Sequence, residues 1–154
     1  KAALSFLGLP FRLERVRVLQ DILFYNDSAS TNPPATAAAI HAFNTPTILI
    51  AGGRDKGFSY DMLRDAASWT ALRYIVLVGE NISKLKEVFT GNDVTIALSL
   101  EKAVSAAWRY ALQKRKKGEK WNIVYSPGAA SFDMFKNYTE RGKAFIRIVK
   151  KLKV

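Results

Sequence analysis

The 154-residue chain has no cysteine and a single histidine, His41. Without thiols there is no disulfide framework, no thiolate chemistry and no cysteine-based zinc site. His41 falls in an alanine-rich stretch expected to be helical, where it reads as a packed or surface residue, so a Ser-His-Asp triad is not expected. The Gly-x-Ser-x-Gly elbow, the Gly-x-x-x-x-Gly-Lys-Ser/Thr phosphate loop and a Gly-x-Gly-x-x-Gly fingerprint after the first strand are all missing. No apolar run is long enough to span a bilayer, so membrane insertion is not expected, and Lys1 to Leu9 is too short and poorly built for a signal peptide. Acidic residues are scarce too: 13 Asp and Glu face 24 Lys and Arg, a formal net charge of +11.

Read alone, that charge suggests a polyanionic partner. The excess gathers in Lys114 to Lys120 and in the last helix, at Lys143, Arg147, Lys150, Lys151 and Lys153. Cations near helix C-termini are favoured by the helix dipole, and a solvated face is the simpler reading. Nucleic acid is not the expected partner, because none of the usual nucleic-acid motifs is present. A non-catalytic module that binds an anion or nucleic acid stays as the alternative.

What is present is a core. The apolar fraction of 49% and aromatic fraction of 12% set disorder aside, and the length suits one domain, residues 1–154. Leu13 to Leu19 alternates polar and apolar side chains, and Ile22 to Tyr25 follows after Gln20-Asp21, which reads as a β-hairpin. A helix is expected from Pro33 to Phe43, with Asn32 as N-cap and Pro33 at the first helical position. Thr47 to Ala51, Tyr74 to Val78, Val94 to Ala97 and Trp121 to Tyr125 read as further strands. Tyr60 to Ala71, Ile82 to Phe89, Leu100 to Lys114 and Phe132 to Leu152 read as helices between and after them. This alternation predicts an α/β fold: a Rossmann-like, mostly parallel sheet with helices on both faces and an N-terminal antiparallel hairpin.

Ligands of such sheets bind beyond the carboxyl ends of the strands. Three unusual loops are expected there. The first is the stretch Phe24 to Thr36, with Asp27 and the hydroxyls of Ser28, Ser30 and Thr31. The second is Ala51-Gly-Gly-Arg-Asp-Lys-Gly57, where glycines let backbone approach a ligand and Arg54 and Lys56 bring positive charge. The third is Ser126 to Phe132, small residues before a helix whose N-terminus can hold an anion. Together they imply a small anionic ligand.

At these loops the chain resembles the C-terminal domain of the Mur ligase family, most closely its D-glutamate-adding branch. Gly8-Leu-Pro-Phe-Arg-Leu-Glu14 is similar to the family's Gly-Leu-Pro-His-Arg-x-Glu, and Asn26-Asp-Ser-Ala-Ser-Thr-Asn32 to its Asn-Asp-Ser-Lys-x-Thr-Asn. Ile50-Ala-Gly-Gly-Arg-Asp-Lys-Gly57 resembles its Gly-Gly-x-x-Lys loop. Ser126-Pro-Gly-Ala-Ala-Ser-Phe-Asp133 and Phe135-Lys-Asn-Tyr-x-Glu-Arg-Gly142 are similar to its Ser-Pro-Ala-x-Ala-Ser-x-Asp and Phe-x-x-Arg-Gly signatures. Ala29 stands where the family has Lys, and Phe11 where it has His.

The resemblance implies the C-terminal domain of a three-domain, cytoplasmic bacterial ligase of peptidoglycan synthesis, expected to be a monomer. Its partners would be ATP, D-glutamate and UDP-N-acetylmuramoyl-L-alanine, joined through an acyl phosphate. ATP and Mg2+ would be bound mainly by the central domain, so the isolated domain would carry no catalytic residue, no metal site and no activity. Carried over by motif, Thr31, Lys56, Ser131, Phe132 and Tyr138 would bind D-glutamate, and Arg12, Asn26 and Asp27 would face the nucleotide.

Overall fold

The computed structural model describes residues 8–153, so most of the Lys1 to Leu9 stretch lies outside the described residues. β1 (Glu14–Leu19) and β2 (Ile22–Asn26) form the antiparallel hairpin. Gln20 and Asp21 turn it with φ of 49° and 60°, the left-handed pair that a two-residue hairpin loop requires. There follow α1 (Pro33–His41), β3 (Thr47–Ala51), α2 (Asp61–Ala66), β4 (Leu72–Leu77), α3 (Ile82–Val88), β5 (Val94–Ile96), α4 (Leu100–Lys114), β6 (Trp121–Tyr125) and α5 (Tyr138–Lys151).

The strands make one six-stranded sheet in the order β1-β2-β6-β3-β4-β5, parallel everywhere except at β1. Every residue of β3 and β6 is buried, as central strands covered on both faces must be. One core layer joins Phe24, Ile48, Ile123 and Tyr125 to Val104 and Trp108 of α4 and Phe145 of α5. The other joins Leu49, Ile75 and Leu77 to Ile40 of α1, Leu63 of α2 and Leu85 of α3. Asn32 caps α1 by accepting the Ala35 N–H at 3.0 Å, with proline at its start as anticipated. His41 is exposed, its ring edge-on to Trp69 at 5.0 Å, in keeping with a surface role.

Two helices are shorter than their periodicity suggests. α2 stops at Ala66 instead of reaching Ala71, because the chain turns through Ser68 and Trp69 and the Trp69 indole donates to the Phe43 carbonyl at 2.8 Å. Residues 132–137 are not helical. The Ser131 carbonyl accepts the N–H groups of Met134 and Phe135 in a local turn, and Asn137 then starts α5 as an extended N-cap that accepts the Glu140 N–H at 2.8 Å.

Candidate functional site

Sheet order explains why the three loops meet. β2, β6 and β3 are parallel neighbours, so the segments leaving their carboxyl ends emerge side by side. Backbone hydrogen bonds fasten them: Gly128 N–H donates to Ser30 O at 3.0 Å, Gly52 N–H to Pro127 O at 2.9 Å, and Arg54 N–H to Ala130 O at 2.8 Å.

The paired glycines serve this fastening. Gly52 has φ of +119°, and a Cβ there would run into the Val78 carbonyl; one on Gly53 would run into that of Ala130. They let strand ends close on one another, a different task from the ligand approach expected of them. Asp55 pairs with Lys84 and accepts the Gly57 N–H at 3.0 Å. The Lys84 hydrogen bond, then that of Gly57, holds its carboxyl below the usual range. Its neighbour Lys56 is left without an ion pair among the described residues, its ammonium 5.1 Å from the centre of the Phe132 ring.

A cleft of about 140 Å³ is lined by Thr31, Lys56, Ala130, Ser131, Phe132, Asn137 and Tyr138. All five residues expected to bind the amino acid are among them. The hydroxyls of Thr31 and Ser131 and the N–H of Phe132 have no hydrogen-bond partner among the described residues. Tyr138 is the first residue of the 14-residue α5, so that helix opens its unpaired N–H groups and positive dipole end on the same space. An ammonium, two hydroxyls and backbone donors suit a carboxylate, and the volume suits a ligand smaller than a nucleotide. Behind this wall, Phe11 packs edge-on to Tyr138 at 6.4 Å and covers Gly142, where a Cβ would collide with its ring.

A second, more open cleft of about 270 Å³ adjoins it, lined by Arg12, Leu13, Asp27, Ser30, Ala35, Ala38 and Ala39. Arg12 is exposed, while Asp27 is 4% exposed. Asp27 Oδ1 accepts the Leu13 N–H at 3.1 Å, and Oδ2 accepts the hydroxyls of Ser30 at 2.5 Å and Ser126 at 2.7 Å. Burial pushes its pKa up, with those hydrogen bonds and Arg12 working against the shift. Thr36 in turn hydrogen-bonds the Ser126 hydroxyl at 2.8 Å, extending the chain of hydroxyls into α1. Asn26 faces neither cleft. It is fully buried, donates to Gly142 O at 3.1 Å and accepts the Ser28 N–H at 3.2 Å, which makes it a brace between the first loop and α5.

One residue central to this arrangement had no role assigned to it in the sequence reading. Arg141 of α5 is fully buried and donates to Ser28 Oγ at 3.1 Å, Ser28 O at 2.9 Å and Ala129 O at 2.9 Å. It ties the first loop to the third, and burial pulls its pKa down. The signal was its place on the apolar stripe of α5 with Gly142, Ala144, Phe145 and Val149.

No protein-family model matches the chain. Curated relatives do. The chain is 44% identical over 149 residues to the UDP-N-acetylmuramoylalanine--D-glutamate ligase of Desulfatibacillum aliphaticivorans, which covers 96% of this chain and 32% of that protein. It is 40% identical over 154 residues to the ligase of the same name in Caldanaerobacter subterraneus subsp. tengcongensis, covering 97% of this chain and 33% of that one. Among solved structures, Mycobacterium tuberculosis folylpolyglutamate synthase complexed with ADP and AMPPCP superposes with a TM-score of 0.64 at 18% identity, covering 99% of this chain and 35% of that one. MurF from Acinetobacter baumannii does so with 0.61 at 19% identity, over 91% and 30%. At those identities the structural likeness is one of fold. The chain spans about a third of the length of the curated relatives it matches. These relatives fit the ligase reading and not the nucleic-acid-binding alternative. By sequence over nearly its whole length, the chain belongs to the Mur ligase family and matches the C-terminal part of its D-glutamate-adding ligases.

Proposed function

We propose that residues 1–154 form the amino-acid-presenting, nucleotide-closing domain of an ATP-dependent ligase that adds D-glutamate to UDP-N-acetylmuramoyl-L-alanine in bacterial peptidoglycan synthesis. The rest of this monomeric, cytoplasmic enzyme would hold the sugar nucleotide and most of the ATP. The reading is carried by the gathering of Thr31, Lys56, Ser131, Phe132 and Tyr138 around one small cleft whose donors are unspent. The ligase names of the curated relatives support it.

In this reading Lys56, the Thr31 and Ser131 hydroxyls and the N-terminus of α5 hold the two carboxylates of D-glutamate, leaving its amine directed out of the cleft. The second cleft fits one side of a nucleotide. Ala35, Ala38 and Ala39 give a low apolar floor, Arg12 reaches out for phosphate, and Asp27 Oδ1 keeps a lone pair for a ribose hydroxyl. Bound ATP supplies the phosphoryl group that activates the acceptor carboxylate, with Mg2+ neutralising the phosphates. In this reading Mg2+ is held mainly by the rest of the enzyme together with the ATP phosphates. Lys56→Ala in the complete enzyme tests the reading: the KM for D-glutamate should rise by about tenfold or more while that for ATP stays within about twofold. An unchanged D-glutamate dependence rejects it.

A further inference from the structure

The net charge of this molecule sits at one end of it. Residues 8–99 carry 9 Lys and Arg and 9 Asp and Glu, whereas residues 100–153 carry 14 and 4. The excess converges where α4 and α5 finish. α4 connects the parallel strands β5 and β6 and so runs back toward the amino ends of the strands, and α5, which leaves the carboxyl end of β6, runs back along the sheet as well, so both helix C-termini point away from the ligand clefts. Contacts bear this out: Arg115, just after α4, donates to Gln20 at the hairpin turn at 3.1 Å, and Arg17 of β1 donates to the carbonyls of Val149 at 2.8 Å and Leu152 at 2.9 Å at the end of α5.

Lys114, Lys116, Lys117 and Lys120 are exposed on one side of this end, and Lys150, Lys151 and Lys153 on the other. Among the described residues none of the seven is in an ion pair. The dipoles of two helix ends favour a few cations within the last turns. They do not account for Lys116, Lys117 and Lys120, which lie beyond α4 in a turn where like charges repel. The clefts at the other end do not use these residues either.

We propose that this end is a docking surface for anionic phospholipid bilayers. The choice of partner follows from what accompanies the lysines. Leu112 is 37% exposed in the last turns of α4, and Ile148 and Leu152 of α5, beside Arg147 and Lys151, line a groove of about 350 Å³ whose other wall is Glu101 and Ser105 in the first turns of α4. Exposed aliphatic side chains on helices that end in lysines suit a headgroup and acyl-chain boundary. Single-stranded nucleic acid calls for stacking surfaces instead. Here Tyr110 is already stacked on Tyr74 at 3.9 Å, Trp121 is buried, and Arg115 is engaged with Gln20 and Asp21. The proposal stands apart from the ligase reading, since it uses none of the cleft residues.

Vesicle co-sedimentation tests it, with phosphatidylcholine alone and with about one third phosphatidylglycerol added. The chain should pellet only with the anionic vesicles and be released at roughly 0.5 M salt. Each lysine removed should weaken partitioning by roughly fivefold. The surface variant Lys116→Ala/Lys117→Ala/Lys150→Ala/Lys151→Ala should therefore lose binding by about a hundredfold or more, and Lys56→Ala should bind as the parent does. Equal binding to neutral vesicles, or undiminished binding by the quadruple variant, overturns the proposal. So does failure to bind the anionic vesicles, whether or not a single-stranded oligonucleotide is bound in their place.

Discussion

Arg141 and Ser28 lie 113 residues apart in sequence and meet in the interior through two hydrogen bonds, one to the hydroxyl at 3.1 Å and one to the carbonyl at 2.9 Å. No carboxylate forms a salt bridge with this guanidinium among the described residues, so carbonyl dipoles carry its compensation. Arg141→Met would leave the carbonyls of Ser28 and Ala129 buried and unpaired, at about 1–3 kcal/mol each. Urea denaturation should show a loss of about 3 kcal/mol or more. Arg141→Lys keeps the charge without the planar fork and should fall between the two.

Tyr125 gives the opposite outcome. Its hydroxyl is fully buried with no hydrogen-bond partner among the described residues, and burial pushes its pKa up. An unpaired buried hydroxyl costs free energy that Phe does not incur. Tyr125→Phe, which keeps the ring stacked against Phe145 at 5.1 Å, should therefore be neutral or stabilising by up to about 1 kcal/mol in the same assay. A loss of stability would show that the hydroxyl has a partner, such as an internal water.

Asp27 predicts a pH dependence. Its pKa in the fold lies above the ordinary 3.8, so the folded state binds the proton more tightly than the unfolded chain does. That contribution is fully present below 3.8 and is lost as pH rises through the folded value. Between those limits the parent should lose stability with rising pH relative to Asp27→Asn, and the difference should level off once the pH is well above the folded value. Denaturation midpoints of both proteins from acid to neutral pH check this.

Phe132 is 57% exposed, and its ring holds the Lys56 ammonium across the mouth of the cleft. An exposed contact of this kind is worth about 0.5–1 kcal/mol. Phe132→Leu frees the lysine to wander, so D-glutamate binding in the complete enzyme should weaken by roughly two- to fivefold with ATP dependence unchanged.

The sheet was legible because β3 and β6 are short apolar runs with turn residues at their ends, and the hairpin because Leu13 to Leu19 mixes polar and apolar residues before Gln20-Asp21, although a bulge between Arg15 and Arg17 breaks the expected alternation and leaves Val18 exposed. The cleft was legible at its chemistry: hydroxyls, a lysine and a helix start lie where the motifs put them. What stayed hidden depends on long-range contacts. Gly52 and Gly53 read as ligand-facing until the Val78 and Ala130 carbonyls are seen against them. Asn26, polar and beside Asp27, read as a ligand contact, yet its amide is consumed by Gly142 and Ser28. Residues 132–137 carry helix-compatible side chains, but Asn137 offers a cap that starts the helix later. Arg141 looked like one more cation in a basic helix, and only its partners distinguish it from Lys143 or Arg147.

The most direct test of the cleft is a titration of isotopically labelled chain with D-glutamate, followed by amide and lysine side-chain NMR shifts. The account predicts weak, saturable changes confined to Thr31, Lys56, Ser131, Phe132 and the first turn of α5, abolished by Lys56→Ala and much smaller with L-glutamate. Shifts centred elsewhere, or identical responses from the Lys56→Ala protein, would contradict it.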